Sequence, residues 1–153
     1  MSIVINEINN VFTMGNYSPA VSYKQAIVNF SSSNIENLLT TPIQLIAAPG
    51  NNLFISISSI LCYVNFLSAY SNGGLLELQT GASQLITASN IANGLTQSNS
   101  TLNSTLLGFV SGQDKYSNLN NQGIYLFQSS GTAFSGGTST MKIIVYYYIV
   151  QAN

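Results

Sequence analysis

Near the C-terminus, residues 141–150 read Met141-Lys142-Ile143-Ile144-Val145-Tyr146-Tyr147-Tyr148-Ile149-Val150. Successive side chains of a strand point to opposite faces, and here both the odd and the even positions are apolar once Lys142 is passed. A half-exposed antiparallel strand would alternate apolar with polar residues, so this strand is predicted to be covered on both sides. The core of the domain supplies one cover, and a helix, a second sheet or another subunit supplies the other.

The remainder of the chain has no long helix that could serve as the second cover. Its helix candidate, residues 89–95, is interrupted by Asn93-Gly94 and is predicted to form a turn or two at most. A contact between subunits is therefore favoured, because tyrosine buries a large area and keeps a hydroxyl for a partner. The residues expected at this contact share one face of the strand: Ile144, Tyr146, Tyr148 and Val150.

Strand signals recur along the chain, separated by segments rich in Gly, Asn and Ser. Besides the closing strand, strands are predicted at residues 23–30, 42–48, 53–68, 76–79, 84–88, 102–110 and 123–128. No helix is long enough for a crossover between parallel strands. The sequence therefore predicts an all-β protein, built as an antiparallel sandwich or barrel.

Two segments are predicted to interrupt or reverse the chain. Ser31-Ser32-Ser33-Asn34 is predicted to be a loop, because small polar residues cluster there. In Pro49-Gly50-Asn51-Asn52 the proline fixes one turn dihedral, and the glycine and asparagines tolerate positive φ. The strand at residues 42–48 is therefore predicted to turn back on itself at this point.

Two strands carry a pattern that assigns their faces. In the strand at residues 53–68 the apolar residues occupy odd positions up to Ile57 and even positions from Ile60 onward. The change of phase near Ser58-Ser59 predicts a β-bulge or a strand that passes from one sheet to another. After the turn Asn72-Gly73-Gly74, the segment Leu76-Glu77-Leu78-Gln79 has a period of two that places the leucines inward and Glu77 outward.

Charge is scarce in this chain of 153 residues. The sequence contains three lysines, four acidic residues and no histidine. Charged residues make up 5% of it, against roughly 25% in an ordinary soluble domain. A net charge of -1 gives little protection against association. The surface is therefore expected to be covered by permanently bound neighbouring proteins. The mass of 16.4 kDa is sufficient for one domain with a substantial core.

The same scarcity excludes several classes of function. General acid-base catalysis near neutral pH needs a histidine or paired carboxylates, and the four acids are isolated in sequence. Metal sites of the His/Cys type are excluded by count, and no calcium loop of the right spacing occurs, so neither a metal nor another cofactor is expected. Three scattered lysines cannot neutralise the phosphates of a nucleic acid. No enzymatic activity is expected.

One motif and one cysteine have an alternative, chemical interpretation. Ser139-Thr140-Met141-Lys142 matches the Ser-x-x-Lys pattern of a lysine-activated serine, but that pairing needs a helical turn and here it opens a strand. A hydrolase using Ser139 and Lys142 is therefore a remote alternative. Cys62 is alone within an apolar strand and is predicted to be a buried small side chain.

The N-terminal residues are expected to form a separate arm. Residues 1–19 show weak alternation, scattered Asn and no clear turn pair, whereas residues 20–153 are expected to form the domain. The start has neither the basic region nor the apolar stretch of a signal peptide. The longest dense apolar run, residues 143–150, is too short to cross a bilayer as a helix, so no membrane association is expected.

Two stretches resemble a known family. Residues 42–50 followed at once by a strand, and Gly136-Gly137-Thr138-Ser139-Thr140-Met141-Lys142-Ile143-Ile144-Val145-Tyr146-Tyr147, are similar to small tailed-bacteriophage virion proteins of the capsid decoration (cement) type. The likeness covers about residues 40–153. It implies a jelly-roll β-sandwich, a homotrimer on the outer surface of the virion, and a role in clamping adjacent major capsid subunits. It brings no catalytic residue and no cofactor.

In that setting the arm is the candidate for strand addition to the capsid or to a neighbouring trimer. Its candidate contact residues are Ile3, Ile5, Ile8 and Phe12. The alternative function is a receptor- or glycan-binding module of a phage head fibre or tail fibre. The polar loop at residues 111–123, with its amides and Tyr116, is where a sugar would bind in that case.

Overall fold

The computed structural model describes residues 22–81, 85–87, 95, 101–106, 119–129 and 131–151. The arm predicted at residues 1–19 lies outside these ranges, as does the helix candidate at residues 89–95 apart from Leu95. Leu95 is buried, with 1% of its surface exposed. Within the described ranges, no helix has the length and hydropathy needed to span a membrane.

The described chain consists mainly of strands, with a short helix after the first of them. In chain order the elements are β1 (Ser22–Phe30), α1 (Ser32–Glu36), β2 (Ile43–Ile46), β3 (Leu53–Asn65), β4 (Ser71–Gly73), β5 (Leu76–Thr80), β6 (Leu85–Thr87), β7 (Thr101–Leu106), β8 (Ile124–Gln128), β9 (Thr132–Ser135) and β10 (Thr140–Gln151). All the predicted strands are present, and the two short strands β4 and β9 are additional.

The strands form two four-stranded sheets and one small sheet. The first sheet has the order β1-β10-β3-β7, the second has the order β2-β8-β5-β6, and β4 pairs with β9. Every one of these pairs is antiparallel. The predicted all-β, antiparallel architecture is therefore confirmed.

One hydrophobic core lies between the first and the second sheet. The first sheet contributes Phe30, Ile60 and Ile143, and the second contributes Leu78 and Leu126, none of them more than 2% exposed. Complete burial of such a side chain contributes about 1.5–3 kcal/mol. Packing of the two sheets against this shared core makes the domain a β-sandwich.

The bulge predicted in β3 is confirmed. Tyr146 of β10 pairs with Ser59 and Tyr147 pairs with Ile57, so Ser58 is an extra residue on β3. The Ser58 hydroxyl donates a hydrogen bond to the Tyr146 carbonyl oxygen at 3.2 Å. The extra residue keeps the apolar series before and after it on the core side of the sheet: Ile55, Ile57, Ile60, Cys62 and Val64.

The loop predicted at residues 31–34 is wrong, because α1 begins there. Ser31 is the N-cap: its hydroxyl accepts from the Asn34 amide at 3.3 Å, and the Asn34 side-chain oxygen accepts from the Ser31 amide at 3.1 Å. This reciprocal capping box satisfies amides that a helix start leaves unpaired. Ile35 and Leu38 are then fully buried, which offsets the weak helix propensity of the serines.

The reversal predicted at residues 49–52 is present, but the two strands that flank it do not pair with each other. Gly50 and Asn52 have φ values of 113° and 58°, and the Leu53 amide donates to the Gly50 carbonyl at 3.2 Å. The strands on either side belong to different sheets, since β2 pairs with β8 while β3 pairs with β10 and β7. Turn residues specify that the chain reverses, but not which strand it then pairs with.

The prediction for β5 is right for the leucines and wrong for the environment of Glu77. Leu76 and Leu78 are fully buried, but Glu77 is also buried, with 5% of its surface exposed. Glu77 stands opposite Phe127 on the neighbouring strand β8. Alternation assigns a side chain to a face of the sheet, but it does not say what covers that face.

Cys62 is fully buried, as predicted, and burial raises the pKa of its thiol to about 12. The thiolate is the reactive form, and three pKa units lower its population by a factor on the order of 1,000. An aromatic disulfide reagent at about pH 8 is therefore expected to label the unfolded chain rapidly and the folded protein hardly at all. Fast labelling of the folded protein would show that Cys62 is accessible.

A pH dependence follows from the same thiol. In the unfolded chain the thiol ionises at its ordinary pKa of 9.0, while in the fold it stays protonated to about pH 12. Above pH 9 the unfolded state therefore binds fewer protons, and the free energy of unfolding falls as the pH rises. The variant Cys62→Ala is the control for both the labelling and this pH dependence.

Candidate interface on the outer face of the first sheet

The side of the first sheet that points away from the core forms a continuous surface across three strands, here called the outer face. Alternation along each strand, corrected for the bulge at Ser58, assigns its members. They are Gln25, Ile27 and Asn29 on β1; Lys142, Ile144, Tyr146, Tyr148 and Val150 on β10; and Phe54, Ser56, Ser59, Leu61 and Tyr63 on β3.

The register of the strands arranges the outer face in rows. Ile27, Ile144 and Leu61 stand side by side and form an apolar row. Of the Ile27 surface 54% is exposed, and Ile144 and Leu61 are partly exposed. An apolar row in the middle of a sheet is suited to contact with another protein surface.

A row on each side of the apolar row carries polar groups. On one side stand Asn29, Lys142 and Tyr63, with 43% of the Tyr63 surface exposed. The row on the other side begins with Gln25 and Tyr146, where the Gln25 amide nitrogen donates to the Tyr146 hydroxyl at 3.1 Å. Hydrogen-bonding groups flanking an apolar centre resemble the composition of a protein interface, whose core is apolar and whose rim is polar.

The structure places the four residues expected at a subunit contact together on the outer face. Ile144, Tyr146, Tyr148 and Val150 occupy alternate positions of β10 and are all partly exposed. The intervening positions point to the core, where Val145 is fully buried. The burial pattern matches the predicted division of β10 into two faces, and cover of the outer face by another subunit stays a prediction.

The three consecutive tyrosines divide between the two faces. Tyr147 packs against the core, and burial raises the pKa of its hydroxyl. Tyr146 and Tyr148 lie on the outer face. The Gln25 hydrogen bond ties the Tyr146 ring across β1 and β10, which holds part of the polar row in a fixed arrangement.

Sequence reasoning did not identify the outer-face residues on β1 and β3, among them Ile27, Leu61 and Tyr63. Alternation places Ile27 on one side of β1 with Gln25 and Asn29, but only the pairing of β1 with β10 shows that this side is the outer one. Leu61 and Tyr63 alternate with the buried Cys62 and Val64 after the bulge. The phase change at Ser58-Ser59 was the signal that could have identified them.

Ser139 and Lys142 are not arranged as a catalytic pair. Ser139 is fully buried, and its hydroxyl donates to the Ser68 carbonyl at 2.7 Å and accepts from the Leu67 amide at 3.0 Å. Because the single hydroxyl proton is given to a carbonyl, this serine holds the segment after β3 in place. Lys142 is exposed on the outer face, beside Asn29 and Tyr63.

The neighbourhood of Ser139 is built from further structural hydrogen bonds. The Tyr70 hydroxyl donates to the Ser139 carbonyl at 2.6 Å, and the Tyr70 ring packs edge-on against Phe134 at a centroid distance of 5.8 Å. Burial, together with the negative charge of Glu36, raises the pKa of Tyr70 to about 12. Tyr70 therefore stays a proton donor and holds the Ser139 carbonyl in place at this end of the sandwich.

Other candidate sites lie wholly or partly outside the described residues. Ile3, Ile5, Ile8 and Phe12 of the arm are among them, and so are residues 111–118 of the proposed sugar-binding loop. In the described remainder of that loop, Asn121 accepts from the Gly50 amide at 2.9 Å and so stabilises the turn before β3. Among the described residues, no three His, Cys, Asp or Glu side chains come together as a metal site.

Comparison with known proteins gives a similarity of fold. No protein-family model matches the sequence, and no curated protein matches it. A chain of the cyanophage Pam1 capsid asymmetric unit superposes with a TM-score of 0.54 at 9% identity, covering 94% of this chain and 96% of that one. At this identity the similarity shows a shared fold, extending over nearly the whole of both chains.

A second similarity is too low to support a shared fold. It is to a chain of the semi-empty virus-like particle of the giant freshwater prawn (Macrobrachium rosenbergii) nodavirus. The TM-score is 0.34 at 11% identity, with 88% of this chain and 97% of that chain covered.

Proposed function

We propose that the chain is a non-enzymatic structural protein of a virion, which decorates the outer surface of a phage capsid. The observation that carries this proposal is the likeness in fold, over 94% of the chain, to a component of a cyanophage capsid asymmetric unit. The coverage of 96% of that component means that the two chains have nearly the same length. A chain of similar fold and length thus occurs in a cyanophage capsid asymmetric unit.

We infer further that the sandwich is a jelly roll. The chain alternates between the two main sheets: β1 is in the first, β2 in the second, β3 in the first, β5 and β6 in the second, β7 in the first, β8 in the second and β10 in the first. The first and last strands are neighbours in one sheet. Eight strands connected in this way across two sheets are the arrangement of a jelly roll.

The composition supports a cement role for such a domain. A protein with 5% charged residues and a net charge of -1 has little electrostatic protection against association, so it is suited to stay bound to a particle. It would bridge adjacent major capsid subunits and strengthen the shell by adding buried apolar area. No covalent chemistry is needed for this role.

Two parts of the chain make different contacts: one binds other copies of the chain, and the other binds the capsid. The outer face, with Ile144, Tyr146, Tyr148 and Val150, joins copies of the chain into a homotrimer. The arm at residues 1–19 reaches the capsid or a neighbouring trimer, with Ile3, Ile5, Ile8 and Phe12 as its contact residues. Strand addition through main-chain hydrogen bonds is a common way for such an extended segment to bind.

The test of the proposed function is binding to preassembled virus shells. Purified protein is mixed with shells that lack it, and cryo-electron microscopy is used to measure its position and occupancy. We expect density on the outside of the shell at a fixed number of copies per capsid subunit. Absence of binding, together with saturable binding on a glycan array, would instead identify a receptor-binding module.

Deletion of residues 2–18 tests the arm separately. We expect shell occupancy to fall at least tenfold, because the main-chain and apolar contacts of the arm are lost, while the number of copies in the free assembly stays unchanged. The control is the full-length chain with Ile3, Ile5, Ile8 and Phe12 replaced by serine, which should bind as poorly as the deletion. Unchanged occupancy for both variants would contradict a role of the arm in capsid binding.

A further inference from the structure

We propose that the outer face makes a heterologous contact, in which Lys142 of one copy pairs with Glu36 of the next copy. Copies of the chain then close into a ring, and the contact is not a two-fold one. This inference rests on the proposed self-association through the outer face, and it names the surface of the neighbour that covers it.

The outer face carries a positive charge. Among the outer-face residues defined above, Lys142 is the charged one, and it is exposed. Its cross-strand neighbours are Asn29 on β1 and Tyr63 on β3, neither of which is an acid. A lysine that enters a protein contact needs an anionic partner, because an unpaired buried charge is strongly destabilising.

This charge bears on the symmetry of the contact between copies. A two-fold contact uses the same patch on both subunits, so the described outer face would meet a copy of itself. Such a pairing brings a lysine from each side and no acid from the described residues of the face, and like charges that meet in an interface cost several kcal/mol. A heterologous contact takes the acid from a different surface of the neighbour, and repeating it by rotation closes a ring.

The described part of the chain offers one accessible acid. Of the four acidic residues, Glu36 and Glu77 lie in that part, and Glu7 and Asp114 lie outside it. Glu77 is buried, whereas Glu36 is partly exposed at the end of α1. One Glu36 carboxylate oxygen accepts from the Gly136 amide at 3.0 Å. This bond fixes the carboxylate in place, and a carboxylate can accept further hydrogen bonds from an ammonium group.

The surroundings of the two charged groups are complementary as well. Leu39, three residues after Glu36, has 38% of its surface exposed. On the opposite side, Lys142 lies next to the exposed Tyr63 and to the apolar row that contains Ile27. Each half of the contact therefore places one charge beside accessible apolar surface, so the pair can form where water is partly excluded.

The outer face is large enough to contribute substantially to a stable contact. Three strands about 4.8 Å apart, with about ten residues rising about 3.3 Å each, give a footprint on the order of 500 Å². A standard interface buries about 800 Å² per partner. The outer face can thus supply more than half of such an area, and the rest comes from the surface around it.

Charge reversal tests the pairing. Lys142→Glu and Glu36→Lys, each alone, are expected to weaken self-association by about tenfold or more, since each brings two like charges together. The double variant Lys142→Glu/Glu36→Lys restores the opposite charges and is expected to recover most of the affinity. Sedimentation equilibrium measures the dissociation constant and the number of copies. Lys24→Glu is the matched control, because Lys24 is exposed on β1 but lies outside the outer face.

A second variant separates the charge of Glu36 from its role within the chain. Glu36→Gln keeps an oxygen that can accept from the Gly136 amide, so the fold is retained while the charge is lost. It is expected to weaken self-association without lowering the unfolding temperature. Single variants that associate like the wild type, a double variant without recovery, or an assembly of two copies would each overturn the pairing. Wild-type shell occupancy then shows separately whether the proposed virion function stands.

Discussion

Deletion of Ile144 from β10 is expected to abolish cooperative folding, whereas deletion of Ser58 from the neighbouring strand β3 is expected to leave a folded protein. Removing one residue from a strand moves every side chain on one side of the deletion to the opposite face. In β10 this would turn either Ile143 or Val145, both fully buried, out of the core. Because β10 pairs with both β1 and β3, neither half of the strand can shift without breaking a ladder.

Ser58 is different because it is the extra residue of a bulge. Without it, Ile57 and Ser59 would be consecutive and could keep their present partners, Tyr147 and Tyr146. The apolar residues on both sides would still face the core. The expected losses are the local twist of the bulge and the hydrogen bond from Ser58 to the Tyr146 carbonyl, which is worth about 1 kcal/mol.

Urea unfolding followed by far-ultraviolet circular dichroism distinguishes the two deletions. The substitution Ile144→Ala is the control, since it removes most of the same side chain but keeps the length of β10. We expect it to unfold cooperatively with a modest loss of stability. A cooperative transition for the Ile144 deletion, or none for the Ser58 deletion, would show that the register of the first sheet is not fixed as described.

The contrast between these deletions also shows which parts of the fold could be predicted from the sequence. The bulge and both faces of β10 follow from a period of two, which depends only on neighbouring residues along the strand. The two apolar series around Ser58 can be read without knowing which strands pair with β3. Local periodicity is therefore sufficient to assign faces.

Pairing between strands could not be predicted in the same way. The turn at residues 49–52 was identified, but β2 and β3 belong to different sheets, and this depends on contacts with the distant strands β8 and β10. The helix α1 was missed because its capping box uses Asn34 in place of the usual Glu or Gln. Its stability comes from the burial of Ile35 and Leu38, which only the folded chain provides.

The candidate interface shows the same limit. Ile144 and Tyr146 could be assigned to one face of β10 from the sequence, because only that strand was needed. Ile27 and Leu61 complete the apolar row through their register with Ile144, so they become visible only when three strands are aligned. The sequence thus predicts the outer-face residues on the central strand β10. The strand order adds those on the flanking strands β1 and β3.

Replacing Ile27 by aspartate is expected to abolish self-association of the chain while leaving the subunit folded. With 54% of its surface exposed, Ile27 contributes little to the core, so the free energy of unfolding should change by about 1 kcal/mol at most. In the assembled protein the new carboxylate would be buried in the apolar row, and the nearby Lys142 of the adjacent row is already paired with Glu36 of the next copy in the proposed contact. Such a burial costs about 3–5 kcal/mol, which corresponds to a dissociation constant roughly 100 to 4,000 times higher.

Leu67→Asp is the matched control, because it makes a similar change at a residue that is even more exposed, at 63%, and that follows β3 outside the outer face. Tyr146→Asp, on β10 within the outer face, should behave like Ile27→Asp. Sedimentation velocity measures the assembly and thermal unfolding measures the fold of each variant. If Ile27→Asp and Leu67→Asp associate equally well, the outer face is not where copies meet. If both lose association, the loss reflects added negative charge on a nearly uncharged surface and not a specific contact through the apolar row.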